Sequence, residues 1–349
     1  MKPTLNSILK SGTAALALTL GANAAVADEQ VVVYHWFEYM PQELVDKFTE
    51  ETGIEVVIDT FDSNESLLAS LKAGALGTYD VAVPGDYMVA IMNSEGMLDT
   101  LEEGELTNRA NISEEWANPS FDPGRQHSIP YQWGSTSFAV NRDAYSGDIN
   151  TTDILFNPPT ELQGRINMFD SQGEVMALAS LHLGIPQCST DRAELSALND
   201  LLQEAKQHWI SFNSDTAKEV LVSGDAAAGM IYDGFNAKAR EEGANTEYAF
   251  PTQGYVAWMD NVVLLEDAPN RENGIRFMDF LLEPENAAML TNWTAYASGV
   301  EGVTPLLDEA LRTLPEANPP AEAGAAVFIE VCDQETQAVY DTIWTNLKN

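Results

Sequence analysis

Residues 31–96 alternate three times between a short apolar, β-branched run and an amphipathic segment, and this alternation limits the fold more than any other feature. Runs at 31–34, 54–60 and 79–84 read as strands, the second rich in β-branched residues. Between the first two, Pro41 opens a helix that places Leu44, Val45 and Phe48 on one face, and Gly53 closes it. Ser63 caps a helix through Leu71 that stops near Gly74, and residues 86–95 are helical up to Gly96. A β-α-β-α-β-α order predicts a mainly parallel sheet covered by helices.

A mixed aromatic, Gly and Ser/Thr segment at 128–140 reads as a crossover into a second alternating region. There, 165–169, 228–232 and 247–250 read as strands, and 174–183, 191–207 and 235–242 as helices. Residues 271–282 and the segment after Pro284 are helical again. Pro319 and Pro320 mark a loop before a last helix at 334–347. The length suits two ordinary domains, and no repeat of fixed period appears.

The N-terminus reads as a secretory leader. Lys2 and Lys10 form a positive region, residues 14–26 are apolar and small, and Ala25-Val26-Ala27 is a cleavage site before Asp28. That apolar part falls short of the roughly 20 residues a membrane span needs. The mature chain is therefore expected to be soluble and exported. The full sequence's formal charge of −37, from 54 acidic and 17 basic residues, argues against nucleic acid or an anionic membrane surface as partner and favours a cationic ligand. A surface adapted to a salty medium is an alternative source of that charge. The two cysteines, Cys188 and Cys332, permit one disulfide in an exported chain.

The candidate site residues cluster at strand ends, where ligands sit in open α/β sheets. Trp36, Glu38 and Tyr39 follow the first strand, and Gly85, Asp86 and Tyr87 follow the third. Ser171 and Glu174 follow 165–169, while Tyr232 and Asp233 follow 228–231. Trp258-Met259-Asp260 repeats the aromatic–carboxylate chemistry after another strand-like run. Aromatic faces attract ammonium groups and a carboxylate supplies the countercharge. One such cluster alone reads as a set of core anchors; two in one exported chain favour a binder of an organic cation.

Catalytic signatures are missing. There is no phosphate loop, no G-x-S-x-G elbow and no zinc helix, and His35, His127, His182 and His208 are scattered. Carboxylate pairs are inevitable in so acidic a chain, so a secreted hydrolase using an acidic pair stays as the rival from another class. No cofactor or metal is expected.

The motifs YHWFEYMP at 34–41, FDSNE at 61–65, YDVAVPGDYMV at 79–89, SIPYQWGST at 128–136, GMIYDG at 229–234, WMDN at 258–261 and FMDFLLEPENA at 277–287 resemble the periplasmic polyamine-binding receptors of ABC importers. The resemblance implies an α/β, two-lobed periplasmic-binding-protein fold, each lobe a mainly parallel sheet flanked by helices, with the ligand cleft between lobes. It implies lobe 1 at 28–134 plus 260–303, and lobe 2 at 135–259 plus 304–349, after a leader at 1–27. The function implied is a periplasmic receptor for spermidine or putrescine, acting as a monomer with a membrane permease as partner. Another cationic or amino-containing solute on the same scaffold is the alternative ligand.

By the same resemblance Trp36, Tyr39, Tyr87, Tyr232, Trp258 and Tyr296 line the cleft. Glu174 and Asp260 are the main ammonium partners, with Glu38 near one end. The chain departs from the family pattern at Gly85, Ser171, Tyr232 and Phe235, and Glu330 stands roughly where spermidine receptors have a Gln. These departures fall on positions that decide ligand length. Glu38 or Glu330 is then expected to serve a third ammonium, which tips the expectation toward spermidine.

Overall fold

The computed structural model describes residues 29–314 and 320–349. The leader and its cleavage site, and Pro319, lie outside them. The main strands are β1 (Gln30–Trp36), β2 (Glu55–Phe61), β3 (Val81–Ala82), β4 (Ser128–Asn141), β5 (Ile166–Met168), β6 (Trp209–Phe212), β7 (Ala228–Tyr232), β8 (Thr246–Tyr248) and β9 (Tyr255–Leu264). They join in one sheet of order β2-β1-β3-β9-β4-β7-β5-β6, with β8 on the side of β4. The two flanks, β2-β1-β3 and β7-β5-β6, are parallel. Where β3, β9, β4 and β7 meet, the pairing is antiparallel.

Local sequence accounts for the parallel flanks. Helix α1 (Gln42–Thr52) buries Leu44, Val45 and Phe48, and Gly53 ends it in the left-handed region at φ 76°, donating its N–H to the Thr49 carbonyl. Helix α2 (Asn64–Ser70) starts on a reciprocal capping box between Ser63 and Ser66. Helix α3 (Asp86–Ser94) follows β3 after only Val83, Pro84 and Gly85. Each helix therefore returns the chain to the same sheet edge, and each βα junction opens at the same end of the sheet.

The centre is built differently. The segment expected as a crossover is one 14-residue strand, β4, buried along nearly its whole length. Its first half pairs with β9 through Thr136, and its second half pairs with β7 and β8. Strand β9 runs the opposite way across the same centre. Trp258 and Asp260 therefore lie within a strand and not after one, and β6, absent from the expected elements, closes one edge. Both crossing strands are covered on two faces, so neither shows the period-2 alternation that exposes a strand in sequence.

The buried side chains group accordingly. Two clusters draw on residues 31–131 and 262–303, and two on residues 138–256 and 340–347. The division falls on β4 and β9. Cys188 and Cys332 are bonded, as the even count permitted, and tie the C-terminal segment to the second group.

Candidate ligand-binding site

Three carboxylates meet where the crossing strands pass the βα junctions. Asp260 comes from the middle of β9, Asp86 from the first turn of α3, and Glu174 from the first turn of helix Gln172–Leu183. Asp86 accepts the backbone N–H of Met259 at 2.9 Å and that of Tyr87 at 2.6 Å, so it fastens α3 to β9. Glu174 accepts the Thr136 hydroxyl at 2.5 Å and the Tyr232 hydroxyl at 3.5 Å, with Ser171 beside it. Thr136 and Tyr232 are partners in the β4–β7 ladder, so the sheet itself aims both donors at Glu174.

These carboxyls are held far from their ordinary acidity. Burial pushes Asp86 up to about 7 against two backbone N–H groups that favour its ionised form, and Glu174's charge adds to the rise. Burial raises Asp260 well above the carboxylate range; the Tyr39 hydroxyl opposes this, and the charges of Asp86 and Glu174 reinforce it. Glu174 is raised chiefly by burial, with hydroxyls of Thr136, Ser171 and Tyr232 opposing and the charge of Glu65 adding. Among the described residues, no Lys, Arg or His figures among the groups that shift the three. Uncompensated buried charge costs several kcal/mol per ion, which is why these carboxyls hold their protons more tightly; a cation brought among them would favour their ionised forms.

Aromatic rings wall the carboxylates. Trp258 meets Tyr296 edge-on at 5.0 Å and Tyr232 at 5.8 Å, and Tyr39 lies 5.7 Å from Tyr296. Trp36 packs on Phe61 at 4.4 Å. Tyr87 donates its hydroxyl to Glu65 at 2.9 Å. On β9, Trp258 and Asp260 are two residues apart and so share a face. Across the ladder from Trp258 stands Gly134, where a Cβ would come within 2.8 Å of the indole and 2.7 Å of Asp233. The glycine is what allows the indole to lie flat over β4. Gly85 plays a similar part: it forms an isolated bridge with Asp260, and a Cβ there would meet the Asn64 amide at 2.9 Å.

Most of the expected residues thus converge: Tyr39, Gly85, Asp86, Tyr87, Ser171, Glu174, Tyr232, Trp258, Asp260 and Tyr296, while Trp36 packs on Phe61. Asp233 is adjacent, but its carboxylate is taken up by the N–H and hydroxyl of Ser135 and the N–H of Gly234. Glu38 is not brought to the group. It sits exposed at φ 48°, and its charge acts on Lys238, which lies 4.2 Å over the Trp293 ring. Glu330 is exposed too, on a cavity of about 630 Å³ that also touches Asp86 and Tyr87. Sequence reading missed Glu65 and Thr136 as members of the carboxylate network. The first follows β2 as the other site residues follow their strands, a signal that was available. Among the described residues, no group of acidic, His or Cys side chains could hold a metal ion.

A sequence profile of bacterial extracellular solute-binding proteins matches residues 43–319. The chain belongs to that family. As a solute-binding protein it is 35% identical over 286 residues to the spermidine/putrescine-binding periplasmic protein of Escherichia coli, covering 81% of this chain and 82% of that one. It is 32% identical to the putrescine-binding periplasmic protein SpuD of Pseudomonas aeruginosa, over 97% and 98% of the two chains. Among solved structures, the spermidine/putrescine transporter substrate-binding protein of Streptococcus pneumoniae superposes with a TM-score of 0.77 at 30% identity, covering 92% of this chain and 98% of that one. A protein from Listeria monocytogenes assigned to spermidine/putrescine transport gives 0.85 at 28% identity, over 92% and 99%. The fold of this solute-binding protein is accordingly the two-lobed one of those receptors.

Proposed function

We propose that this chain is a periplasmic polyamine receptor that binds spermidine or putrescine without chemical change and delivers it to the permease of an ABC importer. The observation that carries the reading is the trio Asp86, Glu174 and Asp260, buried together, with no cationic partner among the described residues in the causes of their shifts. A linear polyamine supplies what this trio lacks. Each ammonium neutralises a carboxylate, and the methylene chain between ammoniums lies against the flat faces of Trp258, Tyr232 and Tyr296. The names borne by its relatives support the same ligand class.

In this reading residues 29–134 and 260–303 form one lobe and 135–259 with the C-terminal segment the other, hinged where β4 and β9 cross. Glu174 and Tyr232 come from the second lobe, and Asp86, Tyr87 and Tyr39 from the first. Closure therefore removes the ligand from water and strengthens its charge pairing. Among the described residues no helix is long and apolar enough to cross a membrane, which fits a receptor released after export. The solute-binding family favours this reading over a hydrolytic one.

The test is a thermal-shift panel of polyamines, amino acids and sugars. A ligand that binds only the folded state stabilises it by roughly 2.7 kcal/mol at a hundredfold excess over Kd. Putrescine and spermidine should raise the melting temperature and be recovered unchanged. No shift with any polyamine, or consumption of the amine, would end the proposal.

A further inference from the structure

Beside the carboxylate trio lies the cavity of about 630 Å³, and Asp86 and Tyr87 belong to the walls of both. Its walls come from the two halves of the molecule. One side is Glu115, Trp116 and Phe121, the two aromatics packing on the core clusters of the first half. The other is the segment 327–331, which carries Phe328 and Glu330 and whose Ile329 packs on a cluster of the second half. Trp116 and Phe328 meet edge-on across the gap at 6.3 Å.

The segment 327–331 is held in place as a wall. Gln187 donates its side-chain amide to the Phe328 carbonyl at 2.9 Å and accepts the Glu330 N–H at 3.3 Å. The Cys188–Cys332 bond fastens its end.

The chamber repeats the chemistry of the inner site. Aromatic faces suited to methylenes stand beside carboxylates, one on each wall, and no Lys, Arg or His lines it. Glu330 and Glu115 add places for two ammonium groups beyond those of the trio.

We propose that this chamber is an outer subsite for the distal end of a long linear polyamine, so that the receptor favours amines with four nitrogens over diamines. The proposal rests on the polyamine reading of the inner site and names its substrate more closely. A diamine occupies the trio alone. A tetraamine continues past Asp86 and Tyr87, lays its methylenes along the chamber-facing sides of Trp116 and Phe328, and sets its last ammonium groups on Glu330 and Glu115.

Calorimetric titration with putrescine, spermidine and spermine tests it. In the wild type, affinity should rise with each added amine. Trp116→Ala should weaken spermine by about tenfold, the scale of a cation–aromatic contact, Glu115→Gln by about two- to fivefold, the scale of a solvent-open charge pair, and both should leave putrescine unchanged. Phe328→Ala, at a side chain 41% exposed, serves as a third variant should Trp116→Ala fail to fold. Equal affinity for putrescine and spermine, or variants that weaken both alike, would overturn the outer subsite while leaving the inner one standing. If no amine binds, or if Asp260→Asn leaves putrescine binding intact, the inner site is wrong and the outer one falls with it.

Discussion

Gly85 and Asp260 form an isolated antiparallel bridge, which brings the N-terminus of α3 against the middle of β9. Through it the chain sets Asp86 and Asp260 side by side although 174 positions separate their strands' contributions in sequence only by way of β4 and the whole second half. The bridge has room only for a residue without a side chain, because Asn64 already fills the space and holds the Gly85 N–H at 3.0 Å. Backbone geometry thus fixes two carboxyls together, each raising the proton affinity of the other, and a cationic ligand would favour their ionised forms.

The first consequence is a trade between binding and stability. Asp260→Ala and Glu174→Ala should each cost about 2–5 kcal/mol of putrescine binding, since an ammonium would be left without its partner. The same changes remove a carboxyl whose ionisation burial disfavours. The ligand-free protein should therefore melt no lower for Asp260→Asn than for wild type. Calorimetry and thermal melts on the same samples check both halves. Unchanged affinity in both variants would remove these residues from the ligand's surroundings.

A second consequence concerns pH. Burial raises Asp86 to about 7 from an ordinary value of 3.8. A raised carboxyl contributes stability that is fully present below its unfolded pKa and is lost as pH rises through its folded one. Ligand-free protein should accordingly lose stability between pH 4 and 7 from this group. Binding runs the other way, because the ammonium needs the carboxylate ionised and must displace the proton below pH 7. Affinity should fall by about tenfold per pH unit below that point for each proton displaced. Titrations at pH 6 in buffers of different ionisation enthalpy would reveal the proton release, and its absence would contradict the shift.

How much of this was legible in the sequence depends on the range of the interactions. Helices α1, α2 and α3 announced themselves through Pro41, Gly53, Ser63 and Gly96, which act within a few residues. The strand-end aromatics were legible for the same reason. The crossing strands were not. Their pairing joins Gly134 to Trp258, and their polar members Gln132, Ser135, Ser137 and Asn261 are buried against one another and against neighbouring strands, which breaks every apolar pattern. Glu38 looked like a site residue from adjacency to Trp36 and Tyr39. Yet the backbone at positive φ turns it outward, and Phe37 beside it is exposed too, while Tyr39 is buried. The outer chamber was invisible, because Trp116 and Phe328 meet only in the folded chain.

Gly134 provides a packing prediction. A methyl group there would press on the Trp258 indole at 2.8 Å and on Asp233 at 2.7 Å. Overpacking of this kind costs about 1–3 kcal/mol. Gly134→Ala should therefore lower the melting temperature and, by tilting the indole, weaken polyamine binding. Loss of stability with full affinity would show that the indole face is not a contact surface.

The last prediction separates spermidine from putrescine at Glu330. Its carboxylate stands on the chamber wall, exposed and apart from the buried trio. A diamine satisfied by the trio does not reach it, whereas a triamine extending past Asp86 does. Glu330→Gln keeps the shape and the backbone bond to Gln187 and removes only the charge. Spermidine affinity should drop by about 0.5–1 kcal/mol, the range for a partly screened charge pair, while putrescine affinity stays level. The loss should shrink at high salt, since the group is open to solvent. Competition titrations at two ionic strengths decide it. Equal losses for both ligands would place Glu330 in the general field of the acidic surface, and a loss insensitive to salt would place it in direct, desolvated contact instead.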